Sequence, residues 1–480
     1  MPILTYRLRP NLYRESTILR QIVSDLQARP GVLRATAAMA TPANLARVAA
    51  AGLLPTGLAC SPDDLLIVLE AEGEPVARAA LDWAESELAR PRPLDGEATD
   101  HAASAGSVVE ERARLAGASV AIITGVGSEA AAAAASALRA GMHVALAASG
   151  VSLADETTLK CLAAERGLLL LGPDFGGAIV GGVPIGIANV VRSGPIGLLA
   201  DSGTGMQELA CLAHRWGSGI SHAISVGRRD CSGAVGGMAM LAGLRLLLDD
   251  PATRAVVLLT TSATPAVASR IGAAAARAAR PVVLAMLGAT PAELEAAGPG
   301  AARTLEQAAR SALEAIGLRA PALPPCPRPL VAPPRRFVRG LFVGATLCAE
   351  AALVIGERIG PVVGPVATTT PPEAHSCFDL GDEPFRAERL AQAARDPQTA
   401  VVLFDMLLGV GTPADQVGPL LAAIEPIEPG ERPPLVAHVC GTDDDPQPRA
   451  VQVDRLRAAG VIVAETNAQA ARIAASIVRR

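Results

Sequence analysis

With 480 residues the chain has material for about three domains with sizeable cores, and its formal net charge of −5 offers no basic face for nucleic acid. Half of the residues are apolar but only 2% are aromatic, so the cores must be filled by Ala, Leu, Val and Ile, as in helices laid on parallel sheets. The eight cysteines, at 60, 161, 211, 231, 326, 348, 377 and 440, form no C-x-x-C pair, which argues against a zinc site or disulfide framework and suits a reducing cytoplasm. Lys160 is the sole lysine, which excludes a lysine-bearing phosphate loop. The start Met1-Pro2-Ile3-Leu4 lacks a signal-peptide layout, and the Ala-rich run near 130 is broken by Ser128, Glu129 and Arg139. These features predict a cytoplasmic protein without a membrane or nucleic-acid partner.

In chain order, residues 1–90 read as a small α+β module: a strand at Ile3–Leu8, a helix at Ser16–Gln27, strands at Gly31–Met39 and Leu65–Ala71, and an amphipathic helix at Glu74–Leu88. Asn11, Tyr13 and Arg14 are its polar residues of interest, each read as surface loop. Arg90 to Ser107, with two prolines and mixed charge, reads as a linker.

Residues 108–192 read as a Rossmann-like domain. A buried strand at Ala118–Thr124 runs into Gly125-Val126-Gly127-Ser128-Glu129-Ala130, the G-x-G-x-x-A form of a dinucleotide turn. The next strand ends in Ala148-Ser149-Gly150, without the acid that would hold a ribose. The intervening helix is expected to be capped by Ser128 and stopped by Gly141. A further strand, Leu168–Leu171, ends in the turn Gly172-Pro173-Asp174, where Asp174 is a candidate substrate-binding residue.

An internal repeat organises the remainder. Gly197-Leu-Leu-Ala pairs with Gly340-Leu-Phe-Val, Asp250-Pro-Ala-Thr with Asp396-Pro-Gln-Thr, and Arg280-Pro-Val-Val-Leu with Arg432-Pro-Pro-Leu-Val, in the same order. Two doubly wound α/β domains follow, at 193–318 and 338–480. Between them, 319–337 carries the proline-rich linker Pro321–Pro334. The fold class is therefore α/β: a small N-terminal module, a Rossmann-like domain, and two flavodoxin-like repeats.

Function should sit in the loops at the strands' carboxyl ends. After Gly197–Ala200 comes Asp201-Ser202-Gly203-Thr204-Gly205, a turn into a helix whose apolar residues recur at Met206, Leu209, Ala213 and Trp216. Free N–H groups at such a helix start suit phosphate or carboxylate, which makes Ser202, Gly203, Thr204 and Gly205 candidate anion ligands. Arg228 and Arg229 can grip an anion bidentately or pair with Asp230. The second repeat offers Gly344-Ala345-Thr346, Asp379 to Asp382, Asp405, Gly409-Val410-Gly411, and Thr442 with Asp443 to Asp445. His375 is a candidate general acid or base or a satisfied loop residue. The acidic run is read as solvated rather than metal-binding.

Gly172-Pro-Asp, Asp201-Ser-Gly-Thr-Gly and Asp250-Pro-Ala-Thr-Arg-Ala-Val-Val resemble segments of the succinyl-CoA synthetase α-subunit. Residues 338–480 resemble the CoA-ligase domain of its β-subunit, with Gly409-Val410-Gly411 at the phosphate-facing helix. Gly227-Arg-Arg-Asp, Phe378-Asp-Leu-Gly-Asp and Gly441-Thr442 through Gln447 are more specifically similar to the FdrA family. The synthetase's phosphorylated histidine has no counterpart: residues 288–310 contain no histidine. Nor is its ATP-grasp domain present. The family resemblance implies one subunit of a hetero-oligomeric carbamoyltransferase of allantoin catabolism, acting on oxamate or a related ureido acid with carbamoyl phosphate or phosphate as ligand. Under it, Arg228, Arg229 and His375 would be catalytic. Ser202–Gly205 and Gly409–Gly411 would form a two-helix phosphate clamp, and Asp174, Asp230, Asp379 and Thr442 would line the substrate. An acyl-CoA synthetase subunit using CoA and ATP is the alternative, and a non-catalytic scaffold subunit the third; no metal is implied.

Overall fold

The computed structural model describes residues 2–89, apart from 11, 13–15, 41–43, 46–47, 50–51, 56 and 61–63. It also describes 117–478, apart from 262, 290–293, 295–300, 328, 330, 332, 365–372, 382–385 and 429. Asn11, Tyr13, Arg14 and the linker at 90–107 lie outside the described residues. The chain divides into two units, 1–162 and 163–480.

The first unit begins with β1 (Ile3–Arg9), α1 (Ser16–Gln27), β2 (Val32–Met39), β3 (Leu65–Ala71) and α2 (Glu74–Ala89). The strands form an antiparallel sheet in the order β1-β3-β2. β3 is central because its apolar run serves both faces. Leu65, Ile67 and Leu69 join the core with Leu19, Ile22, Leu26, Leu81 and Ala84 of the helices, while Leu66 and Val68 pack with Val48 and Leu53 on the other side. Each such side chain contributes about 1.5–3 kcal/mol by burial.

The unit continues with β4 (Val120–Val126), α3 (Gly127–Arg139), β5 (His143–Ser149) and α4 (Leu153–Glu165); β4 and β5 are parallel. Gly125 and Gly127 take positive φ (127° and 58°) where the strand turns into α3, a conformation that favours glycine. Ser128 does not cap this helix: the N-cap is Val126 and no side chain caps it. The expected stop is present, with Gly141 at φ 80° just after the last turn.

The second unit opens with the short β6 (Leu170–Leu171), the hairpin β7 (Gly177–Val180) and β8 (Val183–Gly186), and then the first repeat. That repeat comprises β9 (Ser193–Ala200), α5 (Gly203–Arg215), β10 (Ile220–Ser225), a 3-10 turn (Arg228–Cys231), α6 (Met238–Asp249), β11 (Ala255–Thr260), α7 (Pro265–Ala276), β12 (Val282–Met286) and α8 (Leu305–Ala315). The second repeat holds β13 (Phe337–Phe342), α9 (Ala345–Ile359), β14 (Val362–Val363), β15 (His375–Asp379), α10 (Arg386–Arg395), β16 (Thr399–Leu407), α11 (Val417–Ile424), β17 (Leu435–Cys440), α12 (Arg449–Ala458), β18 (Ile462–Ala464) and α13 (Asn467–Val478).

The two sheets run β12-β11-β9-β10-β7-β8 and β14-β15-β13-β16-β17-β18. Their shared part has one topology: β10-β9-β11-β12 matches β15-β13-β16-β17, all parallel. The repeated sequence motifs have physical reasons. Asp250 and Asp396 each accept a hydrogen bond from the threonine hydroxyl three residues on, at 2.6 and 2.7 Å, and from the backbone N–H two residues on. The Asp-Pro-x-Thr motif thus closes the same helix-to-strand turn twice. A Cβ on Gly197 would lie 3.0 Å from Leu247, and one on Gly340 would lie 2.7 Å from the Cys377 sulfur; both glycines allow close packing against the strand.

The repeats share one core, in which Met206, Leu209 and Ala213 of α5 meet Leu347, Ala351, Ala471 and Val436. Polar groups are buried within it. Glu350 of α9 accepts from Leu305 N–H at 2.6 Å and from Asn467 Nδ2 at 2.7 Å. Burial pushes its carboxyl up to about 7, and the neighbouring Glu208 and Glu306 add to the rise. The folded state therefore binds a proton more tightly than the unfolded chain does. The stability this gives is complete below the ordinary carboxylate range and falls away as pH rises through about 7, by roughly 3 kcal/mol in all. Glu350→Gln should flatten this fall in denaturant titrations between about pH 5 and pH 8; a variant curve parallel to the wild type would refute the assignment.

Candidate functional site

The carboxyl edge of the second unit is built by its two central strands. β9 ends at Ala200, and Ser202, with extended backbone (φ −135°, ψ 126°), caps α5 by accepting from Gly205 N–H at 3.2 Å. β13 ends at Phe342, and α9 starts after Gly344 with no side-chain cap. The two helix starts face each other. Ser202 Oγ and Thr346 Oγ1 are hydrogen-bonded, and Thr346 N–H donates to Thr204 Oγ1 at 3.4 Å. Two positive helix ends from the two repeats thus converge on one place. Gly203, Thr204, Val343 and Ala345 are partly accessible around it.

Each jaw is braced by a buried carboxylate, with the roles of the strands exchanged. In the first repeat Asp201, following β9, accepts Thr261 N–H, reaching to the loop after β11, at 2.8 and 3.0 Å. In the second, Asp405 on β16 accepts Val343 N–H at 2.7 Å and Gly344 N–H at 2.9 Å, reaching back to the loop after β13. Arg386 donates to Asp405 at 3.1 Å. Burial nevertheless pushes the Asp405 carboxyl up to about 6, against the pull of Arg386 and the two N–H groups, and Asp379 adds to the rise.

The turn at Ser202 to Gly205 opens α5 as its sequence implies, but the segment facing it is not the one expected. Gly409-Val410-Gly411 does not start a helix: α11 begins six residues later, and Val410 N–H donates to Ala188 O at 2.9 Å. The segment Ala188–Val190 lies across this loop as a strap. Asn189 Nδ2 donates to Leu408 O (2.7 Å) and Asp445 Oδ2 (2.8 Å), Val190 N–H to Asp445 Oδ1 (2.7 Å), and Thr442 Oγ1 to Val190 O (2.6 Å). Gln207 of α5 completes the set through Asn189 Oδ1 at 3.1 Å. Gly409–Gly411 and Thr442 therefore hold the strap. The opposing jaw is Gly344–Thr346, which follows Gly340-Leu-Phe-Val as Asp201–Thr204 follows Gly197-Leu-Leu-Ala, and that repeat was the signal for it.

Other candidates separate in the same way. His375 opens β15 at the strand's amino end, away from the jaws. Its Nδ1 accepts Val338 N–H at 3.2 Å, its ring meets Phe337 edge-on, and burial together with Arg339 lowers its basicity. Asp230 caps α6, accepting Ala239 and Met240 N–H at 2.9 Å each. Asp379 ends β15 beside Phe342 and accepts Gly381 N–H at 3.2 Å. Arg228 is exposed and Arg229 half-buried on the 3-10 turn after β10, on the same edge as Ser202. The Gly172–Asp174 turn lies alongside, since a Cβ on Gly227 would lie 3.0 Å from Gly172. Asp174, at φ 55°, is the sole non-glycine with positive φ among the described residues, a conformation often found at functional edges. Asp445 is spent on the strap and Asp443 on Ala450 N–H. Among the described residues no group of three or more potential ligands is placed to hold a metal, and no helix is long and apolar enough to cross a membrane.

A fold with two flavodoxin-like repeats and paired helix ends defines an α/β protein of the CoA-ligase type. Family models agree: residues 193–320 match the succinyl-CoA ligase like flavodoxin domain and 341–477 the CoA-ligase domain, while 1–104 match the AllF heavy metal-associated domain. The chain belongs to the same FdrA-like family as the uncharacterized protein YahF of Escherichia coli (strain K12), with 32% identity over 96% of both chains. Similar solved structures include PH0766 from Pyrococcus horikoshii OT3 (15% identity, 75% of this chain and 83% of that one, TM-score 0.32). Another is a dinucleotide-forming acetyl-coenzyme A synthetase 1 of Ca. Korarchaeum cryptofilum in complex with phosphate and ADP (16%, 79% and 93%, TM-score 0.30). A third is the ATP citrate lyase of Methanothrix soehngenii in complex with citrate and coenzyme A (17%, 54% and 46%, TM-score 0.37).

The jaw geometry distinguishes two neighbouring glycines. A Cβ on Gly205 would lie 2.4 Å from Leu259 Cδ2 and 3.1 Å from Thr346 Cγ2, whereas one on Gly203 meets nothing within 4 Å. Gly205→Ala should cost about 1–3 kcal/mol by overpacking, and Gly203→Ala should leave the unfolding free energy within about 0.5 kcal/mol of wild type. Equal effects in thermal or denaturant unfolding would contradict the packing described.

Proposed function

We propose that this chain is the phosphate-holding subunit of an acid–CoA ligase-type enzyme. An acyl phosphate lies with its phosphate at the facing starts of α5 and α9, and its acyl group passes to the thiol of CoA. The CoA sulfur attacks the carbonyl carbon, the bond from that carbon to the phosphate oxygen breaks, and the thiol proton leaves to solvent or a nearby base. The helix ends stabilise the charge gathering on the departing phosphate. The observation that carries this reading is the hydrogen bond between Ser202 and Thr346, which joins one helix start from each repeat. It is supported by the CoA-ligase descriptions of both repeats. Direct transfer fits a chain with no histidine in 288–310 to carry a phosphoryl group. CoA is then a co-substrate, ATP chemistry belongs to partner subunits, and the complex works in the cytoplasm.

A second reading, carbamoyl transfer between carbamoyl phosphate and oxamate or a related ureido acid, draws on the AllF description of the N-terminal module. The same clamp would hold carbamoyl phosphate, with Arg228 or Arg229 on the acceptor carboxylate.

The complex incubated with CoA and acetyl or succinyl phosphate should release phosphate and form the thioester. Gly203→Val, which places its side chain in the open mouth of the clamp, should lower turnover at least ~100-fold while leaving the fold intact. Carbamoylated oxamate formed from carbamoyl phosphate, with no thioester, would select the second reading. Undiminished turnover in Gly203→Val would remove the clamp from both.

A further inference from the structure

The N-terminal residues match a domain described as heavy metal-associated, so their donor set can be tested against that description. Soft metals such as Cu(I) and Zn(II) are held by paired thiolates or by thiolate with imidazole. Residues 1–104 contain one cysteine, Cys60, and one histidine, His101. Cys60 is half-buried and packs as a small apolar group against the cluster of Ala40, Val48, Leu53, Leu66 and Val68. Four of the module's described carboxylates, the donors a harder ion would use, are held in ion pairs. Asp82 pairs with Arg7 at 3.0 Å, Glu85 with Arg9 at 2.9 Å, Glu70 with Arg34 at 2.6 Å, and Glu74 with Arg78 at 2.6 Å. The donors present do not fit a heavy-metal site.

We infer that this module keeps the heavy metal-associated fold without its metal. Its stability comes from the apolar run of β3 and the helices packed on it, and it neither carries a soft metal nor delivers one to the rest of the chain. This inference does not rest on the CoA-ligase reading, because it concerns the module's own residues.

The full chain is titrated with Zn(II), and with Cu(I) under reducing conditions, against a chromophoric chelator, and its unfolding midpoint is followed with and without metal. Wild type, Cys60→Ser and His101→Ala should show the same metal stoichiometry and the same midpoint response. Metal held equally by all three proteins is not held by the module's thiol or imidazole and agrees with the inference. One equivalent bound by wild type in competition with the chelator, and lost in Cys60→Ser or His101→Ala, would overturn it.

Discussion

The second unit depends on one buried polar junction, the seating of Asn189 and its neighbours in the second repeat. Asn189 is 1% exposed, and both ends of its amide are used, by Leu408 and Asp445 on one side and Gln207 on the other. Asp445 in turn accepts N–H groups from Val190 and Thr442 as well. Buried donors and acceptors left unmatched cost about 1–3 kcal/mol each, so the junction tolerates only one alignment of the repeats. That alignment brings the starts of α5 and α9 together. The strap also lies on the second repeat's own carboxyl-edge loops, at Leu408 to Val410 and Thr442.

The two repeats are alike in topology but not in how they brace the edge. Asp201 and Asp405 perform the same task from different strands: Asp201 ties the loop after β9 to the loop after β11, and Asp405 on β16 ties back to the loop after β13. At the back of the interface Glu208 of α5 meets His438 of β17 at 2.8 Å. Burial would raise the Glu208 carboxyl, but His438 together with Arg215 and the Cys440 thiol more than offsets this, holding it below the usual carboxylate range. Carboxylates fix the repeats at the front and the back, while small residues let the helices approach between them.

Much of the fold was legible because its causes are local. Ser16–Gln27 and Leu65–Ala71 were readable from apolar spacing, and the element bounds coincide. The repeat was readable because Asp-Pro-x-Thr closes the same turn in both copies. The strap was not legible: Asn189 and Asp445 are far apart in sequence and carry no periodicity. Gly409-Val410-Gly411 misled for a related reason. Its glycines serve close approach to the Gly186–Ala188 segment (a Cβ on Gly409 would lie 2.7 Å from the Ala188 carbonyl oxygen), and glycine looks the same in sequence whether it admits phosphate or backbone. His375 was weighed by residue type, whereas its place at the amino end of β15 follows from where the strand begins.

The central claim is that the two repeats share one anion site at the Ser202–Thr346 contact. Calorimetric titration of inorganic phosphate into wild type, Ser202→Ala, Thr346→Val and the double variant tests it most directly. The account predicts one phosphate per chain, weakened in each single variant, with losses in the double variant that are not additive because both residues serve one site. Absence of binding in folded wild type, or independent additive losses, would contradict it.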